Sequence, residues 1–260
     1  QMPRTQSNAT LLIAKKGDTA EAARLFQEAD QLYRDGSRTG NAIPLLQAVE
    51  LWKQALSIYE SAGVVKEQAN TLLATGRAYM LLGKEEDALD HFTRALPLSR
   101  EVGDRTTEAL TLNNIGLAHS ALGDLENAIA YYQQSLPLSQ EVGNRSGVAT
   151  TLNNISDVYA VLGEEERTLD YLNQVLPLTR EMGDLIGTAR TLGSLATLSQ
   201  THGNFPDALL HINDAIAVIE DLGNNIRPGE LSTPYLTTVQ DYYPLQQDIL
   251  AQSEQPPESL

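Results

Sequence analysis

Apolar residues recur along the chain at helical spacing. Leu112, Ile115 and His119 mark one stripe at i, i+3 and i+7, and Leu152, Ile155 and Tyr159 mark the same stripe forty residues on. A second stripe runs through Ala88, Phe92 and Ala95, then Ala128, Tyr132 and Ser135, then Leu172 and Val175, then Ala208, Ile212 and Ala215. Both read as one apolar face of a helix. Gly76, Gly116, Ser156 and Ala196 share one position of the first stripe, where a small residue lets a neighbouring helix come close.

Glycine punctuates these stripes. Gly63, Gly103, Gly143, Gly183 and Gly223 are 40 residues apart, and so are Gly83, Gly123, Gly163 and Gly203, offset by 20. Each reads as the left-handed residue that closes a helix. Asp124 and Asn204 follow at N-cap positions. Pro97, Pro137 and Pro177, each within an LPL triplet, sit late in three second helices and are expected to bend their last turns.

The pattern predicts an all-α chain: a right-handed α-solenoid of about five helix-turn-helix repeats with a C-terminal capping helix. Residues 1–15 are expected to be disordered. A divergent first pair covers 16–63, with a first helix near 18–36, a long loop GSRTGNAIP and a second helix over 48–63. Four regular forty-residue repeats fill 64–223, as helix pairs 66–103, 106–143, 146–183 and 186–223. A linker and capping helix (235–252) occupy 224–252, and 253–260 are expected to be disordered.

Composition narrows the function. Acidic residues outnumber basic ones 34 to 18, for a formal net charge of −16. A phosphate-binding surface needs clustered Lys and Arg, so neither nucleic acid nor an anionic membrane is an expected partner. No apolar run is long enough to span a bilayer. The absence of cysteine excludes disulfides, thiolate metal sites and a Cys nucleophile within this chain. Residue 1 is Gln, so a cut or processed chain is expected. LLIA at 11–14 is too short for a signal peptide, and a cytoplasmic location is expected.

At Leu112, Ile115, Gly116, Gly123, Ala128, Tyr132 and Ser135 the unit resembles the tetratricopeptide repeat, and LNNIG is similar to the long-repeat, kinesin-light-chain-like form. EVGDR and EVGNR at 101–105 and 141–145, with LSTPYLTTVQDYY at 231–243, resemble the region ahead of the caspase-like (CHAT) peptidase domain in cyanobacterial tetratricopeptide proteins. That family carries a His–Cys dyad in a following domain. This chain has no Cys, so the resemblance does not bring the activity with it.

The double asparagines Asn113–Asn114 and Asn153–Asn154 stand out, because Asn is a mediocre helix former. They lie off the core stripe, and an amide offers both a donor and an acceptor. The resemblance implies that Asn113, Leu117 and Ser120 face a concave groove and that the second Asn also reaches a bound peptide. A column of such amides would hold an extended peptide by its backbone. Asn114 and Asn154 have a second reading, as bonds between neighbouring repeats. Arg77, Asp157, Thr197, Arg190 and Gln200 are further groove candidates. His119 occupies the packing slot of Tyr79 and Tyr159; His91 and His211 are three repeats apart, and His202 and His211 lie on two different helices. No catalytic residue, metal site or cofactor is expected. The sequence supports three functions: a non-catalytic scaffold for a protein or peptide partner, a recruitment arm of a larger CHAT protease, or a self-association module giving a homo-oligomer.

Overall fold

The computed structural model describes the backbone of residues 4–225 and 233–253, with side chains over 18–223 and 241–253. The described residues form eleven helices. They are α1 (Arg4–Thr39), α2 (Ala42–Ala62), α3 (Val65–Leu81), α4 (Glu85–Glu101), α5 (Arg105–Ala121), α6 (Leu125–Glu141), α7 (Arg145–Val161), α8 (Glu165–Met182), α9 (Leu185–Thr201), α10 (Phe205–Asn225) and α11 (Thr233–Ser253). They divide into two compact units, 1–142 and 143–260.

The twenty-residue punctuation is a two-residue device. Gly103 and Gly123 take the left-handed conformation, with φ of 66° and 81°. The next residue then closes one helix and opens the next. The Asp124 amide donates to His119 O at 2.9 Å, while its carboxylate accepts from the Asn127 amide. Asp104, Asn144 and Asp184 cap α5, α7 and α9 in the same way, accepting from the amides of Thr107, Gly147 and Gly187. The polar residue in EVGDR and EVGNR is thus a helix cap.

Several expectations change. Residues 4–15, read as disordered, belong to α1, which contains no proline from Arg4 to Thr39 and runs through the Gly17–Asp18 pair without ending there. GSRTGNAIP is not a long loop. Gly36 continues α1, and a Cβ there would sit 2.7 Å from Leu45 Cγ; only Gly40 and the N-cap Asn41 separate α1 from α2. Pro44 falls in the first turn of α2, where a missing amide proton costs nothing. Gly223 does not end a helix: α10 runs on to Asn225, because no first helix of a further repeat follows in register. Of the tail 253–260, expected to be disordered, Ser253 is the last residue of α11 and 254–260 lie outside the described residues.

In the first unit the two apolar stripes meet. Trp52, Phe92, Ala88, Ala78 and Ile115 form one buried cluster, with Phe26 and Tyr33 against the Trp52 ring at 6.2 and 5.7 Å. A Cβ at Gly76 would lie 2.4 Å from Phe92 Cε1, and one at Gly116 would lie 2.6 Å from Tyr132 Cε1. Where the second helix carries Leu172 or Ile212 instead of a ring, the small position holds Ser156 or Ala196. Each pair keeps the sum of its volumes close to what the interface can hold.

In the second unit Leu192, Ala196, Ile212, Ala215 and Ile219 are buried together with Tyr242 and Ile249 of α11. The Tyr242 hydroxyl donates to Ala189 O at 2.8 Å, and the ring lies against Gly193. Gln246 donates to Asn213, and Gln200 to Asp248. The last helix therefore covers the apolar surface of α9 and α10, which no further repeat would otherwise bury.

Candidate functional site

The first helices of the regular repeats, α3, α5, α7 and α9, present equivalent positions whose exposure decides what can bind. At the position of Asn113 and Asn153 the other helices carry Leu73 and Gly193, and burial there is high. Leu73 is 7% exposed, and Asn153 only 2%. Asn113 is half-buried. One turn on, the same position in all four helices is exposed: Arg77, Leu117, Asp157 and Thr197. The outward-facing position is this one, four residues beyond the asparagine.

Asn153 therefore cannot meet a peptide as its sequence suggests. Its Oδ1 lies 3.5 Å from Thr191 Oγ1 of the next first helix, a long contact, while that hydroxyl donates more closely to Gly187 O at 2.8 Å. Asn114 is half-buried and donates to Leu110 O of its own helix at 2.7 Å. Asn154 is half-buried and also engaged. The repeated threonines Thr71, Thr111, Thr151 and Thr191 are all buried and bond back to the carbonyl four residues earlier, at 2.6, 2.7, 2.9 and 2.8 Å. A Thr directly before the stripe leucine every forty residues was the available signal for this buried polar layer.

Of the other groove candidates, Ser120 is half-buried and Arg190 exposed. Gln200 is taken up by its bond to Asp248 of α11. Arg77 stacks over the Tyr33 ring at 5.6 Å. It lines a cleft of about 270 Å3 with Asp30, Tyr33, Arg34 and Trp52, all in the first unit. Desolvation holds the Asp30 carboxyl above the usual range, against the pull of Arg34 and Arg77.

Asp157 and Thr197 come together in the second unit. They line a cleft of about 360 Å3 with Ser156, Ser194, Leu198, Thr201 and the start of α8 at Glu165 and Thr168. Asp157 is open to solvent at the cleft mouth, yet the surrounding helices exclude enough water to hold its carboxyl above the usual range; Arg190 pulls the other way. A carboxylate among hydroxyls above an apolar wall accepts hydrogen bonds and favours a cation. Among the described residues no group of three His, Asp or Glu side chains could hold a metal ion, and no described helix is long and apolar enough to cross a membrane.

Helix pairs closed by left-handed glycines, with an exposed position repeated on the first helix of each regular pair, define a helical-repeat protein. Residues 107–181 and 147–221 match the tetratricopeptide repeat family, and the repeats of this segment belong to it. The fold is similar to that of BtubC (BKLC) from P. vanneervenii, with a TM-score of 0.60 and 21% identity over 83% of this chain and 94% of that one. It is also similar to the nearly identical TPR-like repeats of a putative kinesin light chain from Podosopora anserina (0.62, 15% identity, 79% and 99%). A Rap protein complexed with competence and sporulation factor shares the fold as well (0.61, 15% identity, 90% and 66%). No curated protein sequence matches the chain.

Proposed function

We propose that the chain is a non-catalytic scaffold that binds a segment of a partner protein on the exposed face of its first helices. The observation that carries this reading is the cleft at Asp157 and Thr197, where a partly desolvated carboxylate faces hydroxyls within a concave, apolar-walled space. Such a site suits a peptide that brings backbone amides and a Lys or Arg side chain. The solved Rap complex supports the reading through a shared fold, which is analogy and not transfer of a site. In this reading Asp157, Thr197 and Arg190 make the contacts in the second unit, with Asn154 at the half-buried margin; in the first unit, taken by itself, Leu117 holds the equivalent exposed position, Arg77 offers a cation for an acidic group, and Asn113, Asn114 and Ser120 lie at the half-buried margin. Asn153 orders the stack.

The test is a pulldown with cross-linking mass spectrometry, comparing the parent with Asp157→Lys and Asn153→Ala. Asp157→Lys is expected to keep the melting temperature and lose partners that cross-link beside Thr197. Asn153→Ala is expected to lower the melting temperature. Recovery of the same partners, cross-linked at the same place, with Asp157→Lys would overturn the proposal.

A further inference from the structure

Three successive repeats close the turn end of the helix pair with two stacked or tilted rings, one from each helix. Tyr79 meets His91 at 5.1 Å, His119 meets Tyr131 at 5.3 Å, and Tyr159 meets Tyr171 at 5.6 Å. In two of them a cation from the second helix or its N-cap covers the outer ring: Lys84 lies 5.8 Å over Tyr79, and Arg167 lies 5.1 Å over Tyr159. The fourth repeat keeps the inner ring, His211, but its outer position is Ser199, and Asp207 stands where the third repeat has Arg167. Both the ring and the cation are missing from one place.

The structure shows what their loss leaves. Ser199 and His211 line a cleft of about 480 Å3 with Leu169, Leu195 and Leu198. Its rim is acidic, with Glu165, Glu166 and Asp207. His202 on this rim is paired to Glu165 at 2.5 Å, a bond that raises the imidazole pKa above its ordinary value. His211 Nδ1 is buried and has no hydrogen-bond partner among the described residues, whereas the equivalent His91 Nδ1 lies 2.8 Å from Asp87 O. An unfilled slot beside an orphaned buried nitrogen is uncommon in a settled core.

We propose that this cleft binds an aromatic side chain flanked by Lys or Arg on a partner protein. The ring takes the place that Tyr159 fills one repeat earlier and packs on His211 and the three leucines. The flanking cation meets Asp207, Glu165 and Glu166. Residues 1–17, 224–234, 236–240 and 254–260 contain no Phe, Tyr or Trp, which leaves Tyr235 of α11 as the one aromatic residue whose side chain is not among those described. A chain of net charge −16 also favours a basic partner. The inference stands apart from the Asp157 cleft, although Glu165 and Leu198 border both.

The probe is the tripeptide acetyl-Lys-Tyr-Lys-amide, titrated into the full chain while the leucine methyl resonances are followed by NMR, with acetyl-Lys-Ala-Lys-amide as control. Saturable shifts at Leu169, Leu195 and Leu198 are expected, with the alanine control weaker by roughly tenfold, the upper worth of an aromatic pair. Ser199→Tyr rebuilds the missing ring and is expected to abolish the shifts while raising the melting temperature. Asp207→Arg copies Arg167 at an exposed helix start and is expected to weaken the lysine probe several-fold in a chain that still folds; it serves if Ser199→Tyr does not. Asp157→Lys is expected to leave the titration unchanged, which separates this site from the groove. Equal binding of the alanine tripeptide, absence of saturable shifts at these leucines, or undiminished binding by the folded variants would overturn the proposal.

Discussion

Gly76 and Phe92 offer a direct test of how the two helices of a repeat are matched. A methyl group at residue 76 would sit 2.4, 2.7 and 2.9 Å from three atoms of the Phe92 ring, which is 0% exposed and has nowhere to turn. Gly76→Ala gains about 1 kcal/mol of helix propensity and loses about 1–3 kcal/mol to overpacking. The net effect is destabilisation of up to about 2 kcal/mol. Phe92→Leu alone loses packing and leaves a void, at about 1–3 kcal/mol by the scale of core truncations. The double variant recreates the Ala196–Ile212 kind of pairing, and in that background Gly76→Ala is expected to be neutral or stabilising. The coupling energy is therefore about 1–3 kcal/mol in favour of the double variant. Urea unfolding followed by Trp52 fluorescence reads it locally, because the only tryptophan is 1% exposed and lies in the same cluster as Phe92. Free energies that add to within about 0.5 kcal/mol would refute the reasoning.

Three further outcomes follow from polar groups. Burial pushes the Tyr242 phenol up to about 12 from 10.0, so the folded chain holds this proton longer than the unfolded one. Its contribution of about 2–3 kcal/mol is present below pH 10 and lost between about 10 and 12; Tyr242→Phe should flatten the alkaline decline in α11 stability measured by amide exchange. Glu108 is 5% exposed and bonded to Arg100 and Arg105 at 2.8 Å each. Burial raises its carboxyl, but the two guanidiniums outweigh that and hold it below the ordinary value of 4.5, so its stabilisation is present above that value and fades as pH falls further. Arg100→Ala should cost about 1–3 kcal/mol at neutral pH and less in acid, read from melting temperature against pH. Asp104→Ala removes the α5 cap and should cost about 1 kcal/mol, while Asp104→Asn, the residue that caps α7, should nearly restore the parent midpoint.

How much was legible in the sequence follows from how local each cause is. The helices, their pairing and their ends rest on residues close in the chain. The stripe of Leu112 and Ile115 turns one face inward whatever lies beside it. Gly–Asp or Gly–Asn stops one helix and starts another where the apolar stripes repeat on both sides of it, although the same pair lies inside α1 at 17–18 and inside α10 at 223–224, and the forty-residue repetition makes each sign visible several times. The tertiary structure decided matters that depend on how far a neighbouring helix reaches. Asn113 and Asn153 occupy the same position of the repeat, yet only contact with the next helix determines that Asn153 is buried beside Thr191. The exposed column lies at Asp157 and Thr197 because the helices crowd out the asparagine position and not the one a turn later. Gln200 was lost to the groove because α11, 48 residues on, brings Asp248 to it. The vacancy at Ser199 is visible as a substitution in the sequence, but that it leaves a cleft beside a His211 nitrogen with no partner among the described residues is a property of packing. A side chain's type and period are fixed by the chain itself; its access to solvent or to a partner is fixed by what packs against it from far away in sequence.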